Sequence, residues 1–314
     1  MRIGVDLGGS KIEVVALDDA GVERVRQRIA APRGDCAATL EAIAQLVGQA
    51  VEKLGAGHTV TGVAAGVAGR DAVNFTLGIG IPGSESPVDG TVRNANSTWL
   101  NGRPLRRDLE ALLGLPVALA NDANCFALSE ATDGAAVGAQ VVFGVILGTG
   151  VGGGLVVGGR LIVGANAIAG EWGHNPLPAA GAPEDLMCWC GRRDCLELYL
   201  SGPGLAADHR RHAGVSLTPP QIVAAALAGD SACNTTLERY EQRLALALAQ
   251  VINIVDPEVI VLGGGLSNID RLYRNVPCLW HGPVFSETVV TRLVPHRHGD
   301  SSGVRGAAWL GAQA

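Results

Sequence analysis

The chain has 314 residues, of which 47% are apolar and only 4% aromatic, and it carries 44 glycines and a net charge of −6. This length and apolar content allow a large core and favour two domains. The acidic balance and the scattered arginine pairs argue against a nucleic-acid partner. Because a strand pattern begins within the first residues, we expect no signal peptide, no membrane partner and a cytoplasmic location.

A tight hairpin is predicted at the start of the chain. Apolar residues over 3–7 and 12–15 indicate two strands, and Gly8 and Gly9 allow a sharp turn between them. The turn is compatible with an ordinary hairpin, but glycines also let a ligand approach the backbone closely. An amphipathic helix follows over residues 36–54, where apolar side chains recur on one stripe.

The middle of the first half is harder to interpret. Residues Val60–Ile81 are rich in glycine and apolar side chains, and they predict at least one strand before Pro82-Gly83. Periodicity then indicates a short helix over 105–113, a buried strand over 116–120 and a second helix over 123–131.

Polar side chains follow the strand at 116–120 directly. Asn121 and Asp122 precede the next helix, and helix N-capping explains one such residue. It does not explain a polar cluster after an apolar strand. A carboxylate at a strand end can accept the proton of a hydroxyl that attacks phosphorus. Asp122 is therefore a candidate general base, and Asn121 a candidate ligand for neighbouring hydroxyls.

A second strand–turn–strand unit is predicted over 141–163, with the layout of the first hairpin. Residues 141–159 are uncharged but contain eight glycines, which favours two strands over a membrane helix. Two such turns can offer backbone N–H groups to a polyphosphate from both sides. Ser10 and Thr149 would add hydroxyl donors. Asp6 lies at a strand end, where it either caps the turn or holds hydrated Mg²⁺.

Three of the seven cysteines, Cys188, Cys190 and Cys195, lie within eight residues of one another. The other four are isolated and are interpreted as buried thiols. An odd count with one tight cluster favours a metal over disulfides. With His174, the cluster would complete a closed tetrahedral zinc site; the alternative is three unrelated buried thiols.

The last predicted elements are a long helix over 237–255 and a buried strand over 259–262. The helix ends at Asp256, because the residue before Pro257 resists the helical conformation. Three glycines follow the strand. They are typical of a strand–helix turn, and they would also let an adenine or ribose lie flat against the backbone.

Taken together, these motifs resemble the ROK family (repressor, open reading frame, kinase), over essentially the whole chain. The resemblance implies an α/β, two-lobed actin-like ATPase (ribonuclease H-like) fold with the active site in the cleft between domains. The expected lobes are residues 1–120 with the helix at 300–314, and residues 121–299. The motifs that carry the resemblance are Asp6-x-Gly8-Gly9-Ser10-Lys11, Gly148-Thr149-Gly150-x-Gly152-Gly153-Gly154, Gly263-Gly264-Gly265, Gly170-Glu171-x-Gly173-His174 and Cys188-x-Cys190-Gly191-x-x-x-Cys195-x-Glu197.

The resemblance also implies a role for each motif residue, with Asp122 as the base and a structural Zn²⁺ on His174, Cys188, Cys190 and Cys195. One departure is Asp194, where the family usually has glycine. The expected sugar contacts are Gly83, Asn96, Asn121, Asp122, Glu171, His174 and Glu197. The expected contacts to ATP and Mg²⁺ are Asp6, Gly8, Gly9, Ser10, Lys11, Gly148, Thr149, Gly150, Gly152 and Gly264.

Residues 94–102, 171–176 and 298–309 resemble bacterial fructokinases of the manno(fructo)kinase type. The predicted reaction is transfer of the γ-phosphoryl group of MgATP to the 6-hydroxyl of fructose, in a homodimer. N-Acetylglucosamine kinase or glucokinase is the alternative. A sugar-responsive repressor would need a DNA-binding segment ahead of Asp6, where five residues leave no room. A non-catalytic sugar-binding protein is disfavoured by Asp122 and both phosphate turns.

Overall fold

The computed structural model describes residues 1–55 and 75–313. The chain divides into two compact units, each built from separate stretches of sequence. The first unit contains Met1–Gly134, Arg160–Ala169 and Asp300–Ala314, and the second contains Ala135–Gly159 and Gly170–Gly299. The boundary predicted after residue 120 differs from this division. The helix that begins at Asp122 packs against the C-terminal helix, so both belong to the first unit.

The described secondary structure alternates between strands and helices. The strands are β1 Arg2–Leu7, β2 Lys11–Leu17, β3 Glu23–Ala30, β4 Thr76–Ile81, β5 Ser84–Glu85, β6 Val92–Arg93, β7 Ala118–Asn121, β8 Val141–Leu147, β9 Val151–Val157, β10 Arg160–Leu161, β11 Val259–Gly263 and β12 Arg292–Pro295. The α-helices are α1 Cys36–Lys53, α2 Leu105–Leu113, α3 Asp122–Thr132, α4 Glu197–Leu200, α5 Gly202–Ala213, α6 Pro219–Leu227, α7 Ser231–Val255, α8 Leu272–Leu279 and α9 Ser302–Leu310.

The sheet of the first unit has the strand order β3-β2-β1-β4-β7. The predicted hairpin is confirmed, because β1 and β2 pair antiparallel from Arg2–Leu17 to Leu7–Ile12. Strands β4 and β7 run parallel to β1. Parallel strands end at the same edge of a sheet, so the carboxyl ends of β1, β4 and β7 meet there. This edge carries Asp6 and Asn121.

The sheet of the second unit repeats that plan. Four of its strands lie side by side in the order β9-β8-β11-β12. Strands β8 and β9 pair antiparallel, and β8, β11 and β12 run parallel. The internal repeat predicted from the two glycine turns is therefore present, with a hairpin followed by parallel strands in each unit. Among the described residues, no helix is both long and apolar enough to cross a membrane.

Each unit buries its own apolar core. In the first, α1 packs Ile43 and Val47 against Val5 and other sheet residues, which confirms the predicted amphipathic helix. In the second, α7 packs Leu244 and Leu248 against the sheet residues around Ile260. Both helices lie on one face of a sheet, as expected for α/β folds.

Two predicted elements differ from those in the structure, and a third lies partly outside the described residues. Helix α7 begins at Ser231 rather than 237, because the Asp230 carboxylate caps it by accepting a hydrogen bond from Cys233 N at 2.8 Å. Strand β7 is half-buried rather than buried, because it is the edge strand of its sheet. In Val60–Ile81, the predicted strand is present as β4, and residues 60–74 lie outside the described residues.

Candidate active site and metal centre

The predicted site residues fall into two groups, one in each unit. In the first, Asp6 near the end of β1 is crowded by protein atoms. Burial, followed by repulsion from the carboxylates of Asp122 and Glu13, raises its pKa to about 7, while Lys11 and Arg28 oppose the shift. Paired carboxyl groups at a strand end are a typical setting for a hydrated divalent cation, because a cation relieves their repulsion.

Asp122 is the first residue of α3, and the cap of this helix is Asn121. The Asn121 Oδ1 accepts a hydrogen bond from Ala123 N at 2.8 Å, and its Nδ2 donates to Gly83 O at 3.2 Å. Asp122 keeps an exposed surface. The protein atoms packed around the rest of the carboxyl group keep water away from it, and this burial raises the pKa of Asp122. The hydrogen bonds from Ala123 and Asn121 act in the opposite direction. A raised pKa brings a general base closer to the working pH.

A glycine is required at position 83. Its φ is +114°, and a Cβ atom there would lie 2.6 Å from Arg93 O and 2.8 Å from Ala95 N. Further along the same loop, the Ser97 Oγ lies 3.7 Å from where a Cβ of Gly9 would stand. The exposed Asn96 lies between these two contacts. The loop that carries Asn96 therefore approaches Gly83 and the first glycine turn.

The first glycine turn is closed by a hydrogen bond from Gly8 N to Lys11 O at 2.9 Å. Gly9 and Ser10, at its tip, are exposed. The Lys11 ammonium lies 4.0 Å from the buried carboxylate of Glu13. An exposed glycine tip with a lysine at its end offers N–H groups and a positive charge to a phosphate.

The second glycine turn lies at the corresponding place in the second unit. Gly148 N donates to Gly150 O at 3.0 Å, and Thr149 at the tip is exposed. Gly264 follows β11, whose Gly263 pairs with Ile146 of β8. The predicted adenosine glycines and the second phosphate turn therefore lie at the same edge of one sheet.

The segment that carries Glu171 and His174 packs directly onto β9. Gly173 makes this possible, because a Cβ at that position would lie 2.2 Å from Val151 O. The Trp172 Nε1 donates to Gly152 O at 3.0 Å and anchors the segment beside the second turn. This segment carries two of the predicted sugar contacts, of which Glu171 is exposed and His174 is partly buried.

The three clustered cysteines and His174 converge as predicted. Their ligand atoms all lie within 4.8 Å of one another. The Cys188 Sγ is 3.8 Å from His174 Nδ1, and the Cys190 Sγ is 3.6 Å from Cys195 Sγ. Four ligands about 2.0–2.3 Å from a central zinc would stand about 3.3–3.8 Å apart in a tetrahedron. The donor set and its spacing fit a closed zinc site.

A second group with metal-ligating side chains has a different explanation. Glu184, Asp208 and His212 also lie close together, but arginines occupy the carboxylates. Arg243 donates to Asp208 at 2.6 Å and to Glu184 at 2.9 Å, and Arg239 donates to Asp208 at 2.7 Å. Burial alone would raise the pKa of Asp208, but these bonds lower it. The group is an ion network that stabilises the second unit.

Asp194 shows how the chain accommodates a residue other than glycine in the cysteine turn. Its φ is +54°, in the left-handed region that aspartate tolerates better than most residues. Its carboxylate accepts hydrogen bonds from Leu186 N, at 2.9 Å, and from the Tyr199 hydroxyl. These bonds compensate for the backbone conformation and leave the cysteines in place.

Glu197 links the cysteine segment to the second glycine turn, which the sequence did not reveal. Its Oε2 accepts a hydrogen bond from Val151 N at 3.1 Å, and its Oε1 accepts one from Trp189 Nε1 at 2.7 Å. Trp189 appears in the sequence only as the spacer of Cys-x-Cys. The cysteine spacing predicted a metal-binding cluster, but no local signal in the sequence pointed to the contact of Trp189 with Glu197, eight residues away.

The two α/β units, each built on a hairpin and parallel strands with glycine turns at the strand ends, define the actin-like ATPase fold. The ROK family model matches residues 2–314, so the chain belongs to the ROK family. It is 40% identical over 317 residues to the "N-acetyl-D-glucosamine kinase" of Vibrio cholerae serotype O1, covering 99% of each chain.

Two solved structures support the same assignment. A ROK hexokinase from Thermus thermophilus superposes with a TM-score of 0.83 at 28% identity, covering 98% of this chain and 97% of the other. A ROK glucokinase from Streptomyces griseus, solved with glucose and AMPPNP, gives a TM-score of 0.76 at 26% identity, covering 100% and 99%. The chain is therefore an ATP-dependent sugar kinase of the ROK family.

The contacts of Asp194 predict an order of stability among its variants. Asp194→Gly should lower the Tm moderately, because glycine accepts the positive φ but loses both side-chain hydrogen bonds. Asp194→Ala should lower the Tm further, since it also carries the left-handed strain of about 1–2 kcal/mol. Thermal denaturation of the three proteins measures this order. An alanine variant as stable as the glycine variant would contradict the strained backbone.

Proposed function

We propose that this protein is an N-acetylglucosamine kinase, transferring the γ-phosphoryl group of MgATP to the 6-hydroxyl of the sugar. The identity to the Vibrio cholerae relative, over nearly the full length of both chains, carries this proposal. It favours the alternative of the sequence analysis over fructose. The 6-hydroxyl rests on the family resemblance, and the homodimer and the cytoplasmic location remain predictions from the sequence.

In the proposed reaction the sugar hydroxyl oxygen forms a bond to the γ-phosphorus, and the bond from phosphorus to the β–γ bridging oxygen breaks. Asp122 accepts the hydroxyl proton, and ADP carries away the electron pair of the broken bond. The position of Asp122 at the start of α3 gives its carboxylate an exposed surface, and the raised pKa of this group suits a general base. Asn121, held by Gly83 O, would orient the neighbouring hydroxyls.

The nucleotide would be held by the two glycine turns and the glycines after β11. Phosphoryl transfer depends chiefly on positioning and on stabilising charge. The exposed tips at Gly9–Ser10 and Thr149 would supply N–H and hydroxyl donors, and Lys11 a positive charge. When bound, Mg²⁺ neutralises phosphate charge, and Asp6 would hold it through its water shell.

We assign the cysteine cluster to a structural zinc. Support comes from the Cys₃His donor set and its distances. Such a site leaves no open position for a catalytic water, so its contribution is to shape. It would fix the segment from His174 to Cys195, which lies between the proposed sugar contacts Glu171 and Glu197.

The substrate is tested by a coupled ADP-release assay over N-acetylglucosamine, glucose, mannose and fructose. We expect the highest kcat/KM on N-acetylglucosamine. Higher efficiency on fructose would restore the prediction made from residues 94–102, 171–176 and 298–309. Activity on none of the four sugars would overturn the proposed kinase function.

The proposed base is tested by Asp122→Asn, which keeps the size and polarity of the side chain but removes its capacity to accept the proton. A general base contributes typically about 10²–10⁴-fold, so kcat should fall by at least about 10². The matched control is Asp108→Asn, because Asp108 is likewise an acidic residue in the first turn of a helix. It should retain full activity. A kcat near wild type in Asp122→Asn would reduce Asp122 to a structural role.

A further inference from the structure

Trp189 is an exposed tryptophan in an unusual place. It lies between the proposed zinc ligands Cys188 and Cys190, and 68% of its surface is accessible. The other tryptophans of the chain are buried or half-buried. Large aromatic side chains bury most of their surface when packing is their purpose. Core packing therefore does not account for this residue.

Its polar edge is used instead. The Trp189 Nε1 donates to Glu197 Oε1 at 2.7 Å, the short distance typical of a bond to a charged acceptor. The same indole meets the imidazole of His174 edge-on, with ring centroids 5.0 Å apart and an interplanar angle of 83°. One side chain thus contacts both His174 and Glu197, which are two of the proposed sugar contacts.

These contacts fix the direction of the Glu197 carboxylate. Its second oxygen, Oε2, accepts a hydrogen bond from Val151 N at 3.1 Å. With one donor on each oxygen, rotation of the carboxylate group is restricted. A carboxylate offers about four acceptor sites in all, so capacity remains on both oxygens for hydroxyl groups. The carboxylate is oriented without being saturated.

The backbone of the turn does not itself require tryptophan. The turn is closed by hydrogen bonds from Gly191 N to Cys188 O, at 3.0 Å, and from Cys188 N to Arg192 O, at 2.8 Å. These bonds join backbone atoms and would form with any residue at position 189. The cysteine sulfur atoms on either side would likewise stay in place. The contacts of the indole with His174 and Glu197 are therefore additional to metal binding.

We propose that Trp189 is a positioning residue of the sugar site, which orients the Glu197 carboxylate through its N–H group and the His174 imidazole through the T-shaped contact of the two rings. This proposal rests on the proposed sugar kinase function. It assigns to the exposed spacer of the cysteine motif a part in hexose affinity, and it makes the indole an optical reporter of sugar binding.

The decisive variant is Trp189→Phe, which keeps an aromatic ring beside His174 but has no N–H group for Glu197. We expect the KM for the hexose to rise about 3- to 10-fold, the range for the net loss of one hydrogen bond of ordinary strength. The KM for ATP and the zinc content should stay unchanged. Met187→Ala alters another exposed apolar side chain of the same loop and should behave as wild type.

Fluorescence gives an independent readout. Hexose added without nucleotide should change the tryptophan emission of the wild-type protein, and this change should be absent in Trp189→Phe. The same change in both proteins would contradict the assignment of the reporter. An unchanged hexose KM in Trp189→Phe would overturn the positioning role, and so would loss of zinc from that variant, because the residue would then serve the metal turn alone.

The sugar panel separates these failures from failure of the kinase proposal. The kinetic comparison uses whichever of the four hexoses the wild type phosphorylates best. An active wild type with an unaltered Trp189→Phe variant would overturn the role of Trp189 only. A wild type inactive on all four hexoses would overturn both proposals together.

Discussion

The convergence of three thiol sulfurs and one imidazole within 4.8 Å is the constraint on which the proposed sugar site depends. The segment from His174 to Cys195 contains little regular structure beyond short turns and bridges. Isolated bridges and single backbone hydrogen bonds, such as that from Leu177 N to Asp194 O at 2.7 Å, hold it in place of a continuous strand ladder. A metal that binds all four side chains would supply further order directly, since structural zinc contributes to folding free energy.

The surrounding residues transmit this order to the sugar contacts. Gly173 allows the segment to lie on β9, and Trp172 anchors it to Gly152 O. At the other end, Glu197 begins α4 and bonds to both Val151 N and Trp189. The cysteine turn, the second phosphate turn and the proposed sugar contacts are thus parts of one bonded arrangement within the second unit.

Elements with strong local patterns could be predicted from the sequence. The β1–β2 hairpin, α1 and β11 follow from apolar periodicity and glycine turns, and the parallel strands explain why Asp6 and Asn121 lie at one sheet edge. The convergence of His174 with the three cysteines could be predicted because their residue types and spacing are restrictive. The edge position of β7 could not, because strand order is set by tertiary packing.

Other parts of the site depend on contacts that no sequence pattern records. Asp194 departs from the expected glycine, and only the bonds from Leu186 N and Tyr199 explain why the turn survives. The contact of Trp189 with Glu197 is of the same kind. Preference among hexoses depends on a few side chains that surround the sugar, so motifs shared across the ROK family predicted the kinase class. The fructose preference predicted from residues 94–102, 171–176 and 298–309 is not the one that the Vibrio cholerae relative favours.

The most direct test of the central claim is X-ray absorption spectroscopy at the zinc edge of the purified protein. The account predicts about one zinc per chain, with three sulfur ligands at about 2.3 Å and one nitrogen ligand at about 2.0–2.1 Å. Active protein without zinc, or a zinc coordinated mainly by oxygen, would contradict the claim that this metal holds the sugar-binding segment in place.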